Sequence, residues 1–258
     1  MKKYLTFAKY SFLEHLHNLN DNIGIFISFV IHLFVFNSLW SFVLQGKDIA
    51  GFTKENLMWY IILGEILTYS FHHYYKTISA KVKNSDIAYD KSKPYNFMLR
   101  LIFEGVGTFP KTVVLTIIGV VFGIITVGTI SIGFLQFVCI FISLVIALLI
   151  LLTINIVVGL SGIWLGDDVS SLWLIVSKFM LVFVFTPLDL FPKIVQKILM
   201  FFPTTQVIYS PSKLLVHFSY DLFFRTILPY QILALTIMIV VCYFVNMKGV
   251  KKLNAYGI

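Results

Sequence analysis

Residues 134–165, FLQFVCIFISLVIALLILLTINIVVGLSGIWL, contain no charged side chain. A helix that crosses the hydrocarbon core of a bilayer needs roughly 20 mostly apolar residues. This run exceeds that length, so it crosses with a tilt or protrudes. Five further runs meet the same requirement: Ile23–Leu44, Leu57–Tyr75, Thr112–Ile130, Val169–Leu188 and Leu228–Met247. Together with Phe134–Leu165 they predict an all-α polytopic membrane protein, with six transmembrane helices in one domain covering residues 1–258.

Composition points the same way. Hydrophobic residues make up 59% of the chain and charged residues 12%, with a mean hydropathy of +0.90. Ordinary soluble domains carry about 25% charged residues, and a water-facing shell needs polar side chains to cover it. The net charge of +8 comes from lysines set between apolar runs, without the continuous basic stripe that nucleic acid requires. Nucleic acid is therefore excluded as a partner. Cys139 and Cys242 both lie inside apolar runs and read as small buried hydrophobes, not as a disulfide or a metal site. Lys2 and Lys3 open the chain, yet no short apolar core with a cleavage site follows them, which argues against a secretory signal.

The basic residues orient the spans. Lys2, Lys3 and Lys9 precede the first, and Lys76, Lys81, Lys83, Lys91, Lys93 and Arg100 follow the second. Lys248, Lys251 and Lys252 follow the sixth. Six crossings put all three groups on one side, which the positive-inside rule makes cytoplasmic. Lys47 and Lys54, beside Asp48 and Glu55, and the long fifth loop with Lys193, Lys197, Lys213 and Arg225 fall outside. Long loops weigh little in that rule, so both termini are expected in the cytoplasm.

Three segments outside the spans carry information. In residues 1–22, Leu5, Ala8, Phe12, Leu16 and Leu19 recur at steps of three and four, one face of a helix. That pattern fits an interfacial helix on the inner leaflet; an ordinary helix packed on the bundle is the alternative. Residues 76–100, KTISAKVKNSDIAYDKSKPYNFMLR, are too polar for lipid, and Pro94 ends any helix near Lys93. They predict a short helix presented to a cytoplasmic partner. Between the fifth and sixth spans, Pro187, Pro192, Pro203 and Pro211 cut the chain into pieces of about ten residues, too short to cross. The apolar piece 193–202 suggests a re-entrant or interfacial helix.

Catalytic motifs do not emerge. There is no phosphate-binding glycine loop followed by Lys and Ser or Thr, no HExxH and no GxSxG. His72 and His73 are adjacent, and neighbouring helical residues point about 100° apart, poor geometry for a shared metal. They read as an interfacial end to the second span. Asp167 and Asp168 stand where carboxylates cap a helix N-terminus, here that of the fifth span; contact with a cytoplasmic partner is the alternative. Two charges fall inside spans, Glu65 and Lys178. Intramembrane charges are expensive and mark functional positions by default. They can pair with each other, with another subunit or with substrate.

Several stretches carry a family resemblance: IAGFTKENLMWYIIL at 49–63, VKNSDIAYDKSKPYNFML at 82–99, TPLDLFPKIVQKILMFFPTTQVIYSP at 186–211 and KKLNAYGI at 251–258. In order and spacing they resemble the ABC-2-type exporter permeases, in the branch of the viologen-exporter-like proteins. The resemblance implies the transmembrane subunit of a bacterial ATP-binding-cassette exporter, moving an amphipathic drug-like molecule or hydrophobic peptide out through the cell membrane. It implies no catalytic site in this chain, with ATP and Mg held by two cytoplasmic ATPase subunits, and a second permease as homo- or heterodimer partner. Asn84, Ser85, Asp86, Ile87 and Ala88, ahead of Pro94, would form the coupling helix seated on the ATPase. Pro187 to Pro211 would be short outer helices that dip into the membrane.

Rival classes make different demands. An intramembrane enzyme acting on lipid needs clustered polar residues at one depth, and the polar residues here are scattered. A secondary transporter needs broken spans near mid-membrane and inverted repeats, whereas the proline breaks lie in the outer loop. An immunity subunit against a secreted peptide would differ from a drug exporter only in its cargo.

Overall fold

A computed structural model describes residues 2–17, 22–45, 48–49, 51–70, 74–84, 93–165 and 169–255, with the side chains of 250–255 excepted. The described residues are helical almost throughout, with a single isolated β-bridge between Ile49 and Phe52. In chain order the helices are α1 (Lys2–His17), α2 (Ile23–Leu44), α3 (Lys54–Ser70), α4 (Tyr74–Lys83), α5 (Phe97–Val106) and α6 (Phe109–Thr126). There follow α7 (Phe134–Leu160), α8 (Val169–Phe185), α9 (Lys193–Leu199), α10 (Pro203–Val216) and α11 (Leu228–Ala255). Helices suit lipid because every internal N–H and C=O is satisfied within the segment.

Among the described residues, four stretches are long and apolar enough to cross a membrane: Ile23–Leu44, Phe97–Thr126, Phe134–Leu165 and Leu222–Gly249. The apolar α8 is shorter, because Pro187 stops it at Phe185, before the expected Leu188. The expected span at Thr112–Ile130 is the second part of a longer unit, bent at Gly107 and Thr108 between α5 and α6. It ends at Thr126, short of Ile130. The described residues of the second apolar run lie in α3, up to Ser70, and in α4, which holds Tyr75; residues 71–73 lie outside the described residues. The last helix starts before Leu228, with a π-helical turn at Leu222–Ile227.

Burial sorts these helices into centre and rim. Helix α2 buries only Phe29, Leu33, Phe36, Trp40 and Leu44, a stripe at steps of three and four, and leaves its other faces open. Such a helix at the rim of a bundle faces lipid. Helix α3 is the reverse, buried from Leu57 to Leu67 save Leu63, between α2, α6, α8 and α10. Helix α7 is buried through Ile150–Ile156 and packs on α4, α10 and α11. At Gly159 a Cβ would come within 2.6 Å of Ile78 Cβ and 3.0 Å of the Tyr75 carbonyl, so only glycine lets α4 lie this close to α7.

The outer-loop expectation changes most. Helix α9 is exposed, with Ile194 75% accessible, but α10 is the most enclosed short helix, buried from Thr205 to Ser212. It is longer than pieces of about ten residues would allow, because Pro211 sits inside it instead of ending it. A proline within a helix removes one N–H donor, and this site tolerates it because α3, α7 and α11 enclose the helix. Side chains bind α10 in place: Gln206 donates to the Met200 carbonyl, Ser210 donates to Gln206 Oε1, and Gln231 of α11 donates to the Gln206 carbonyl at 3.2 Å.

Candidate functional site

Charge concentrates at the end of the bundle where α1, α4 and α5 meet. Glu104 of α5 receives Lys81 Nζ at 2.6 Å from α4 and Arg100 Nε at 2.6 Å from its own helix. Arg100 also donates to Tyr95 Oη at 2.6 Å and stacks 5.1 Å from the Phe7 ring of α1. Asn96 caps α5 by accepting from the Leu99 N–H at 3.1 Å, and its own N–H donates to Tyr4 Oη at 2.8 Å. Lys3 donates to the Pro94 carbonyl. Ser11 donates to the Glu104 carbonyl at 2.8 Å. At Gly107 a Cβ would stand 2.4 Å from Ser11 Cβ, so the glycine is what admits α1 to this contact.

Helix α1 thus holds the chain at Pro94 and just after it. Its bundle-facing side is Tyr4, Phe7, Ala8, Ser11 and His15, while Leu5, Phe12 and Leu16 of the apolar stripe are exposed. An outward apolar stripe fits lipid contact; Leu19 lies outside the described residues. Of the proposed coupling residues, Asn84 closes α4 in an exposed turn and Pro94 is exposed. Ser85, Asp86, Ile87 and Ala88 lie outside the described residues, as do His72, His73, Asp167 and Asp168.

The second charged point is within the bundle. Glu65 is fully buried and neither carboxylate oxygen finds a hydrogen-bond donor among the described residues. Its ion-pair partner is His32 of α2, Nδ1 to Oε2 at 3.7 Å, and Tyr69 Oη stands 3.2 Å from the same Nδ1. At 3.7 Å this contact is electrostatic and too long for a hydrogen bond. His32 in turn lines a cleft of about 500 Å³ between α2 and α8, with Val35, Phe36, Leu39, Trp40, Phe185 and Thr186. Trp40 Nε1 is buried there and unbonded among the described residues. Lys178 is not the partner of Glu65: it projects from the exposed face of α8.

At the far end, Asp189 Oδ1 takes Lys213 Nζ at 2.9 Å and Tyr209 Oη at 3.3 Å, fastening the turn after α8 to α10. Lys213 also lies 4.8 Å over the Phe52 ring, against which His217 packs edge-on. Burial, and after it the charge of Lys213, lower the pKa of His217, with Asp189 opposing. Pro187, Pro192 and Pro203 each stand where a helix or helical turn begins. Cys139 and Cys242 are buried free thiols. Among the described residues no cluster of His, Cys, Asp and Glu could hold a metal ion.

Sequence reasoning singled out Glu65, Lys178 and the 84–94 stretch, but not His32, Glu104, Lys81 or Tyr95. Arg100 and Glu104 stand at i,i+4, a spacing that supports an ion pair on a helix, and that signal was available. For His32 there was none beyond a lone histidine in an apolar run.

Long apolar helices packed around a buried core define a multi-pass membrane protein. The family model described as ABC-2 family transporter protein matches residues 26–257. The chain belongs to that family, as the resemblance implied, and is an ABC transporter permease, a membrane subunit that works with ATPase subunits. No curated protein matches the sequence.

Proposed function

We propose that this chain is the membrane subunit of an exporter whose energy comes from ATP hydrolysed by separate cytoplasmic subunits. In this reading the chain crosses the membrane six times and keeps both termini in the cytoplasm of a bacterial cell. The supporting observation is the Glu104 cluster. It joins the ends of α4 and α5, the helices flanking residues 84–96, and α1 grips the same stretch at Pro94 and Asn96. A segment that passes force from an ATPase to a bundle must be held at both ends, and this one is held by ion pairs and packing.

Asn84, Ser85, Asp86, Ile87 and Ala88 are then the residues that meet the ATPase, with Pro94 closing the segment. ATP and Mg stay in that partner, and the permease supplies two conformations that bind the two nucleotide states differently. Cargo is an amphipathic molecule or hydrophobic peptide that enters from the membrane. The cleft between α2 and α8 is an entry of suitable chemistry, aromatic and apolar on its walls with Glu65 behind His32. The α9–α10 segment is the outer gate, closed when Asp189 holds Lys213 and Tyr209.

The test is purification of the tagged chain from its native membrane in mild detergent, with mass spectrometry of what accompanies it. An ATPase subunit recovered in stoichiometric amount, with ATP hydrolysis in the eluate, is expected. A chain that elutes without any ATPase under several mild detergents would overturn the reading.

A further inference from the structure

Helix α10 carries polar side chains where the bundle is most enclosed. Thr205, Gln206, Ser210 and Ser212 are fully buried, among α3, α7, α8 and α11. In a membrane interior every buried polar group needs a partner, because water is not there to supply one. One side of α10 meets that need. Gln206 donates to the Met200 carbonyl and Ser210 donates to Gln206 Oε1, both at 2.5 Å. Gln231 of α11 donates to the Gln206 carbonyl at 3.2 Å and to the Ser143 carbonyl of α7 at 3.1 Å. These bonds fasten α10 to α7 and α11.

The other side does not meet it. Thr205, Tyr209 and Ser212 recur at steps of four and three, one stripe of a helix. Thr205 Oγ1 and Ser212 Oγ find no hydrogen-bond partner among the described residues, although a helical hydroxyl can turn to a carbonyl of its own preceding turn. Between them Tyr209 Oη reaches Asp189 Oδ1 at 3.3 Å, and Lys213 Nζ holds the same oxygen at 2.9 Å. Asp189 Oδ2 is likewise buried and unbonded among the described residues. Ile208 borders the stripe and packs at Gly64 of α3, where an added Cβ would meet its Cγ2 at 3.2 Å. The stripe therefore looks toward α3 and the turn after α8. Pro211 removes the N–H that the Val207 carbonyl would accept in the helical ladder, so α10 is also less bound to itself at this level. Each unbonded oxygen costs free energy in this packing, and a conformation that admits water to the stripe recovers it.

We infer that α10 and α3 part along this stripe, and that Thr205, Tyr209 and Ser212 then line a water-filled crevice inside the chain. Its mouth is at the end where Asp189 holds Lys213. The inference rests on the permease reading and adds to it a binding surface for the polar part of the cargo. The three hydroxyls are uncharged and both donate and accept, so the surface suits amide and hydroxyl groups as well as water. Gln206 and Gln231 keep α10 anchored on its far side while the crevice opens.

The test uses the chain with its native partners in lipid nanodiscs, with Cys139 and Cys242, its two free thiols, replaced by alanine. Thr205→Cys and Ser212→Cys are each treated with a hydrophilic maleimide, first without nucleotide and then with ATP and vanadate. A third condition combines them with Asp189→Asn, which weakens the hold and needs no ATPase. Nucleotide trapping and Asp189→Asn should each speed labelling at both positions at least tenfold. Val207→Cys, equally buried on the opposite side of α10, should stay unreactive throughout. Hydrogen–deuterium exchange of the α10 peptides in the unsubstituted chain should rise with nucleotide, a readout independent of the cysteine variants. Labelling that stays absent in every condition, or that reaches Val207→Cys as fast as the stripe, would overturn the inference. Loss of the nucleotide response alone, with the Asp189→Asn response intact, would count against the permease reading and support the crevice.

Discussion

The carboxylate of Glu104 lies 2.6 Å from the ammonium of Lys81, an ion pair that closes the gap between α4 and α5. The two side chains are 21% and 16% exposed, Lys81 the more so. Such a pair is sheltered enough that removing one partner leaves the other costly to accommodate. Arg100 shares the same carboxylate. The three charges make one rigid base for the residues between the helices.

Glu104→Gln should lower the stability of the purified chain by about 1–2 kcal/mol, less than a fully buried pair because the group is partly solvated. It should also weaken stimulation of the ATPase by transport substrate in the reconstituted complex. Thermal unfolding and hydrolysis assays read the two effects separately. Unchanged hydrolysis coupling with lowered stability would reduce Glu104 to a structural tie.

Asp86→Arg, in the NSDIAYD stretch, should leave expression and membrane insertion intact while uncoupling ATP hydrolysis from transport. Reversal of a charge at a contact surface places like charges together where opposite ones met. Transport per ATP in proteoliposomes is the measurement. A wild-type ratio would place the ATPase contact elsewhere.

Glu65→Gln should cut transport about tenfold, the scale of a lost charged contact, with assembly of the complex maintained. The carboxylate has no hydrogen bond that folding would miss among the described residues, so amide replacement preserves shape and removes the charge. Initial rates of uptake into inverted vesicles decide the matter. Equal rates would make the His32–Glu65 contact purely structural.

Gly159→Ala should destabilise the chain by about 1–3 kcal/mol through overpacking, since the new methyl meets Ile78 and the Tyr75 carbonyl. Gly133→Ala, with nothing within 4 Å of the added methyl, is the matched control. Thermal midpoints of the two variants should differ clearly, with only the first lowered.

Some of this was written in the chain itself. The uncharged run 134–165 and its fellows set the membrane environment, because burial in lipid depends on local apolar length and needs no tertiary partner. The first apolar run forms one helix, Ile23–Leu44, since nothing in between competes with it. The odd polar positions, Glu65 and Lys178, are visible for the same reason: a charge within a greasy run announces itself.

What the run lengths could not decide is which helix lies in the middle, and that came from packing. Sequence periodicity does not separate α3, buried nearly all round, from α2, buried on one stripe. The stretch around Pro211 reads as broken, yet α10 continues through it because its neighbours enclose it. Glu65 meets His32 and not Lys178 because α2 lies against that side of α3, while α8 turns Lys178 outward. Distance along the chain carries no information about such encounters. They are settled when helices choose neighbours by the shape of their surfaces, and only the folded bundle records that choice.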